Sequence, residues 1–145
     1  MFIGEFTHTI DDKKRLSIPT KFRKDLGKIA VIARGLDHCL FIYAKKEWDK
    51  IADRIGELGM GQSDTRAFHR FLFSGAHEVE FDAAGRLLIP DVLKDFAKLP
   101  TGKVIVAGVH NRIEVWEEAQ WNAYKERVER DADTLAEKLG SIGMI

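Results

Sequence analysis

The chain has 145 residues, 45% hydrophobic and 32% charged, a balance that fits a folded protein of one domain or two small ones and excludes a disordered chain. A single cysteine, Cys39, excludes an internal disulfide framework. No apolar run approaches the roughly 18 residues of a membrane span, so a cytoplasmic setting away from the membrane is expected. Formal net charge is zero, yet residues 1–30 carry a net +3 and residues 111–145 a net −3; a basic head can meet a polyanion, although two solvated faces account for the same numbers.

The first residues lack a basic segment followed by an apolar core and do not read as a secretory signal. Phe6, His8 and Ile10 alternate with Thr7 and Thr9, the period of a half-buried strand. The polar stretch Asp11–Arg15 reads as a hairpin turn into a second strand holding Leu16 and Ile18. Pro19 ends that strand and suits the first turn of a helix bearing Phe22 and Leu26. Val31-Ile32-Ala33 reads as a strand leading to a turn at Gly35, and Leu40–Tyr43 as its partner. Trp48, Ile51, Ile55 and Leu58 fall at helical steps. Gly59–Ser63 breaks that helix, and Asp64 is the expected N-cap of the next, which carries Phe68, Phe71 and Leu72.

The plan then begins again. Val79 and Phe81 alternate with Glu78 and Glu80, and Asp82–Arg86 forms a turn containing Gly85. Leu87 and Ile89 precede Pro90, and Leu93, Phe96 and Ala97 follow it. Val104–Val106 leads to a turn at Gly108, and Ile113–Trp116 completes the unit. In the tail, Trp121, Tyr124, Val128, Ala132, Leu135 and Leu139 share one helical stripe. It is expected to be buried against the rest of the chain, with Gly140–Gly143 frayed.

These two passes are one motif used twice. Asp11 to Pro19 and Asp82 to Pro90 share Asp, Arg, Leu, Ile and Pro in register. Val31-Ile32 aligns with Val104-Ile105, Gly35 with Gly108, Leu40, Ile42 and Tyr43 with Ile113, Val115 and Trp116, and Trp48 with Trp121. The offset is 71 in the first block and 73 in the second. The division is residues 1–60 as repeat 1, 61–76 as a connecting helix, and 77–145 as repeat 2 with a C-terminal helix. Units this small bury little core alone, so the copies are expected to pack on each other about a pseudo-two-fold axis.

A strand, Asp-x-x-x-Arg-Leu-x-Ile-Pro and a short helix resemble the swapped-hairpin DNA-binding fold of AbrB and MazE. Two copies in one chain of this length resemble the MraZ family, over essentially the whole chain. One departure stands out: the family commonly has Asp-x-Lys-Gly-Arg in the first copy, and here Lys14 occupies the glycine position, where positive φ is less comfortable. The resemblance implies an α+β fold of duplicated AbrB/MazE-like β-hairpin domains about a pseudo-two-fold axis, with peripheral and C-terminal helices. It also implies a bacterial transcriptional regulator, cytoplasmic and nucleoid-associated, at the head of the division and cell-wall gene cluster. Its partners would be double-stranded DNA, at short G-rich direct repeats in the promoter, and further copies of itself in a ring. The alternative is an antitoxin-like DNA- and protein-binding module whose C-terminal helices clamp a protein.

The first hairpin carries Lys13, Lys14 and Arg15, with Lys21 and Arg23 close behind. A two-stranded ribbon fits the major groove, and Arg15 can donate bidentately to guanine. Lys13 and Lys14 suit phosphates, and Ser17, Thr7 and Thr9 can add neutral hydrogen bonds there. The second hairpin keeps only Arg86 and reads as the accessory contact. Asp11 with Arg15, and Asp82 with Arg86, can equally be ion pairs that hold the turns, and the two roles are compatible. His38-Cys39 lacks metal-ligand spacing, and no nucleophile constellation or glycine-rich phosphate loop is present. No catalytic residue, metal or cofactor is therefore expected.

Overall fold

A computed structural model of the chain describes residues 1–144. The first repeat forms β1 (Phe2–Ile10), β2 (Arg15–Ser17), α1 (Thr20–Leu26), β3 (Ile29–Arg34), β4 (Leu40–Ala44) and α2 (Lys45–Gly56). Then come α3 (Ser63–Ser74), β5 (His77–Glu80), β6 (Arg86–Leu88), α4 (Asp91–Phe96), β7 (Gly102–His110), β8 (Arg112–Glu117) and α5 (Glu118–Ser141). Pro19 and Pro90 sit one residue before the helices they introduce, where the missing N–H costs nothing. Asp64 is not the cap of α3: the cap is Gln62, and Asp64 lies in the first turn, where its charge still complements the helix dipole.

All eight strands join one antiparallel sheet in the order β5-β3-β4-β8-β7-β1-β2-β6. Its two ends meet where the Asp82 N–H donates to the Arg86 carbonyl at 2.9 Å, so the sheet curls into a nearly closed barrel. The repeats interleave within it. β1 runs along β7 for its whole length, and β5 pairs with β3, so each repeat lends its first strand to the other. The pseudo-two-fold axis is visible in the register. Leu16 faces Leu87 between β2 and β6, and Phe41 faces Glu114 between β4 and β8.

The ladders correct the alignment of the third strands. His8, the counterpart of Val79, pairs with Val104, whereas Val79 pairs with Ala30. Ala30 and Val104 are therefore equivalent, an offset of 74 rather than 73. Leu40 and Ile113 keep the offset of 73, because the β3–β4 connection has one more residue between matched pairs than β7–β8. A slip of one residue turns every side chain to the other face of a strand. Burial agrees with the ladders: Ala30, Ile32, Val104 and Val106 all point into the barrel core. Gly108 is not a turn residue. It pairs with Gly4, and a Cβ there would press into the backbone of Phe2 and Ile3.

The barrel core is drawn from both repeats. Ile10, Leu16, Ile18, Leu87, Ile89 and Leu93 lie within it, none more than 1% exposed. Burying such a side chain contributes about 1.5–3 kcal/mol. Outside the barrel, Val31, Ala33 and Tyr43 are covered by Trp48 of α2 and Leu72 of α3. On the other half, Ile105 and Trp116 are covered by Trp121 and Tyr124 of α5. Among the described residues, α3 has no counterpart in the second repeat. The expectation of a buried C-terminal stripe fails beyond Val128: Leu135 and Leu139 are 43% and 45% exposed, and every residue from Glu129 to Met144 is solvent-facing. The helix also does not fray at Gly140, but runs on to Ser141.

Candidate nucleic-acid interface

The two Asp-x-x-x-Arg turns are built alike from local hydrogen bonds. In the first, Oδ1 of Asp11 accepts from the N–H groups of Lys13 and Arg15, both at 2.9 Å. Oδ2 accepts from Nε of Arg15 at 2.7 Å. In the second, Oδ1 of Asp82 accepts from the N–H groups of Ala84 and Arg86, both at 2.9 Å, and Oδ2 from Nε of Arg86 at 2.9 Å. One carboxylate thus satisfies the turn's donors and orients its arginine. The same bonds hold both carboxyls below the usual aspartate range, the Arg15 N–H acting first on Asp11 and the Arg86 N–H first on Asp82.

Because β2 and β6 pair across the axis, the turns lie side by side. Nη1 of Arg86 reaches Oδ2 of Asp11 at 3.5 Å, so Asp11 bridges both arginines. Arg86 therefore meets two carboxylates and Arg15 one. The hydrogen bond from Arg15 to Asp11 uses Nε alone, which leaves its two terminal NH2 groups unspent on that partner. Both arginine side chains are about one-third exposed.

The departure at Lys14 is resolved by the backbone. Lys14 has φ 62° and Gly85, its equivalent, φ 77°, so the turn needs a left-handed residue in both copies. A non-glycine residue there costs roughly 1–2 kcal/mol. Partial compensation is visible: the Lys14 carbonyl accepts from the Ile89 N–H at 2.8 Å, and its ammonium pairs with Asp91 at the start of α4. A Cβ on Gly85 would meet the end of the Arg23 side chain, which would have to swing aside.

The remaining sequence candidates divide. Lys13 stands exposed at the first tip, and Lys21 is exposed on α1, its ammonium 5.5 Å from the Phe6 ring centre. Arg23 donates to the Ile18 carbonyl at 3.0 Å and lies over the second tip. Ser17 is half-buried, its Oγ 3.0 Å from Nδ1 of His8. Burial holds His8 below the usual imidazole value, and the Arg23 charge adds to this against the opposing Ser17 hydrogen bond. Lys13, Arg15 and Lys21 thus keep donors free for an outside acceptor, whereas Lys14, Ser17 and Arg23 are occupied by the fold. Asp91 and His8 are not site candidates in the sequence, because the pairing of Lys14 with Asp91 joins the two repeats and that of His8 with Ser17 joins two strands, and no local pattern signals either. Among the described residues, no group of three or more His, Cys, Asp or Glu side chains is placed to hold a metal, and no helix is long and apolar enough to cross a membrane.

A family model described as "MraZ protein, putative antitoxin-like" matches the chain twice, at residues 1–71 and 72–139. The transcriptional regulator MraZ of Natranaerobius thermophilus is 44% identical over 139 residues, 96% of each chain. That of Moorella thermoacetica is 45% identical over 139 residues, again 96% of each. That of Alkaliphilus metalliredigens is 44% identical over 144 residues, covering 99% of this chain and all of the relative.

Proposed function

The chain belongs to the MraZ family of transcriptional regulators, and from that premise we propose that it binds promoter DNA sequence-specifically through its paired hairpin turns. The observation that supports this reading is the side-by-side placement of the two turns, with Arg15 and Arg86 both drawn to Asp11 beside the exposed Lys13. A guanidinium clamped through Nε is pre-oriented, so little rotamer freedom is lost when its other donors meet a base edge. Arg15 is the base-reading residue, directed to guanine in G-rich direct repeats. Lys13 and Lys21 meet phosphates, which set register and affinity. Arg86, held by two carboxylates, is the accessory contact. The targets in this reading are promoter repeats of the division and cell-wall gene cluster. The protein acts in the cytoplasm at the nucleoid as a ring of copies, which places several hairpin pairs along one DNA.

Fluorescence anisotropy on DNA carrying such repeats, over a salt series, tests this. About six phosphate contacts should give a slope of log K against log salt near −5. Lys13→Ala should weaken all DNA alike and lower the slope by about 1. Arg15→Ala should cost about 1–3 kcal/mol on the target and erode discrimination against mismatched repeats. A flat salt response, or target binding unchanged by Arg15→Ala, would overturn the assignment.

A further inference from the structure

Each hairpin turn is met by a charged residue of the other repeat. Arg23 of α1 lies over Gly85 of the second turn. Asp91 of α4 pairs with the Lys14 ammonium of the first. These contacts change the charge that each turn presents. By sequence, residues 11–15 hold three bases against two acids, a net +1, and residues 82–86 hold one of each. With the cross-repeat neighbour added, the first turn falls to zero and the second rises to +1. The excess positive charge that the sequence shows at the first tip is cancelled in the fold.

The cancelling pair has no equivalent across the pseudo-two-fold axis. The positions that correspond to Lys14 and Asp91 are Gly85 and Thr20, neither of them charged. Lys14 also keeps its place at φ 62°, where glycine is the easier residue. Attraction between two exposed groups is weak and would not by itself hold a lysine in place. Here the backbone helps. The Ile89 N–H donates to the Lys14 carbonyl at 2.8 Å, two residues before Asp91, and the ring of the intervening Pro90 fixes its φ. The carboxylate is thereby set beside the ammonium, and both line one cleft at the first tip together with Lys13.

We propose that Asp91 is a positioning residue that withholds Lys14 from DNA phosphates, so that the first turn offers a duplex Lys13 and Arg15 but not a third cation. Sequence-independent affinity follows the number of phosphates neutralised. A free lysine at the tip would serve every sequence alike, and the carboxylate lent by the second repeat keeps that contribution down. The base contact of Arg15 then makes up a larger share of the binding. The inference rests on the reading above that the first turn meets DNA, and it adds a residue that acts through Lys14 without touching the duplex.

Fluorescence anisotropy over a salt series tests it, on one duplex with the G-rich repeats and one without. The proteins are wild type, Asp91→Asn, Lys14→Gln and the double variant. The Asp91 side chain is 68% exposed, so Asp91→Asn should keep the far-UV spectrum and thermal midpoint of the barrel. Asp91→Thr, which places there the residue of the equivalent position in the first repeat, is a second way to remove the carboxylate. Either variant should steepen the slope of log K against log salt by about 0.9 on both duplexes. Each should tighten binding to the duplex without repeats about five- to tenfold at roughly 0.1 M salt. Lys14→Gln should abolish that gain in the Asp91→Asn background and cost far less on its own. An unchanged slope in both Asp91 variants, while Arg15→Ala still weakens target binding, overturns the inference and leaves the DNA-binding reading standing. A gain that persists undiminished in the double variant also overturns it, since the carboxylate would then repel phosphates directly. A wild type whose binding ignores salt overturns both.

Discussion

Asp11 and Asp82 show how much a single side chain can organise. Each accepts two backbone N–H groups and one guanidinium within its own turn, and these bonds favour the ionised carboxyl. The folded values are lowered, so the unfolded chain takes up protons first as pH falls. The stability from this source is present above the unfolded carboxylate value of about 3.9 and is lost as pH drops through the lowered folded values. His8 adds a higher window of the same sign. Burial disfavours its charged form, so acidification from the unfolded value near 6.5 down to its lowered folded value costs stability. Urea unfolding midpoints at pH 7.5, 5.5 and 3.5 should therefore fall in two steps. His8→Gln should flatten the upper step and Asp11→Asn should weaken the lower one; unchanged steps in either variant would remove the assignment. The turns were legible beforehand because donor and acceptor lie four residues apart. The ties of Lys14 to Asp91 and of Arg23 to the second tip were not, because they join residues from different repeats.

At the scale of elements, the short strands β2 and β6 are central because they pair with each other on the axis. Leu16 and Leu87 face one another there, each fully buried. Leu16→Ala and Leu87→Ala should each cost about 2–5 kcal/mol, with similar values because the sites are equivalent. The double variant should cost measurably less than the two together, since both changes open one shared cavity. Fully additive losses in chemical denaturation would show that the two residues do not share a core. Strand positions were readable from the period-two pattern of Phe6–Ile10 and Val79–Phe81. The register of β3 against β7 was not, since several alignments keep Val and Ile in step and only the ladders choose between them.

For the whole molecule, interleaving means that neither repeat owns its sheet. β1 has its long ladder with β7, and β5 has its own with β3. A fragment of residues 1–76 carries β1 and β3 without the strands that complete them. It should be unfolded as a monomer, or folded only as a dimer in which β1 of each copy pairs with β3 of the other. Circular dichroism with light scattering on the fragment distinguishes these from a folded monomer, which the interleaved topology forbids.

The sequence by itself determined the doubling, the two Asp-x-x-x-Arg turns and the apolar stripes. Each depends on neighbours within about one turn or one hairpin, where side-chain period and local hydrogen bonding act directly. The tertiary structure alone decided which strand completes which sheet, which cations are spent on internal partners, and which stripe the chain covers for itself. α2 and α5 begin with matching stripes, yet only α2 finds α3 beside it. A pattern of apolar residues records that a face avoids water; what lies against that face depends on where the rest of the chain goes.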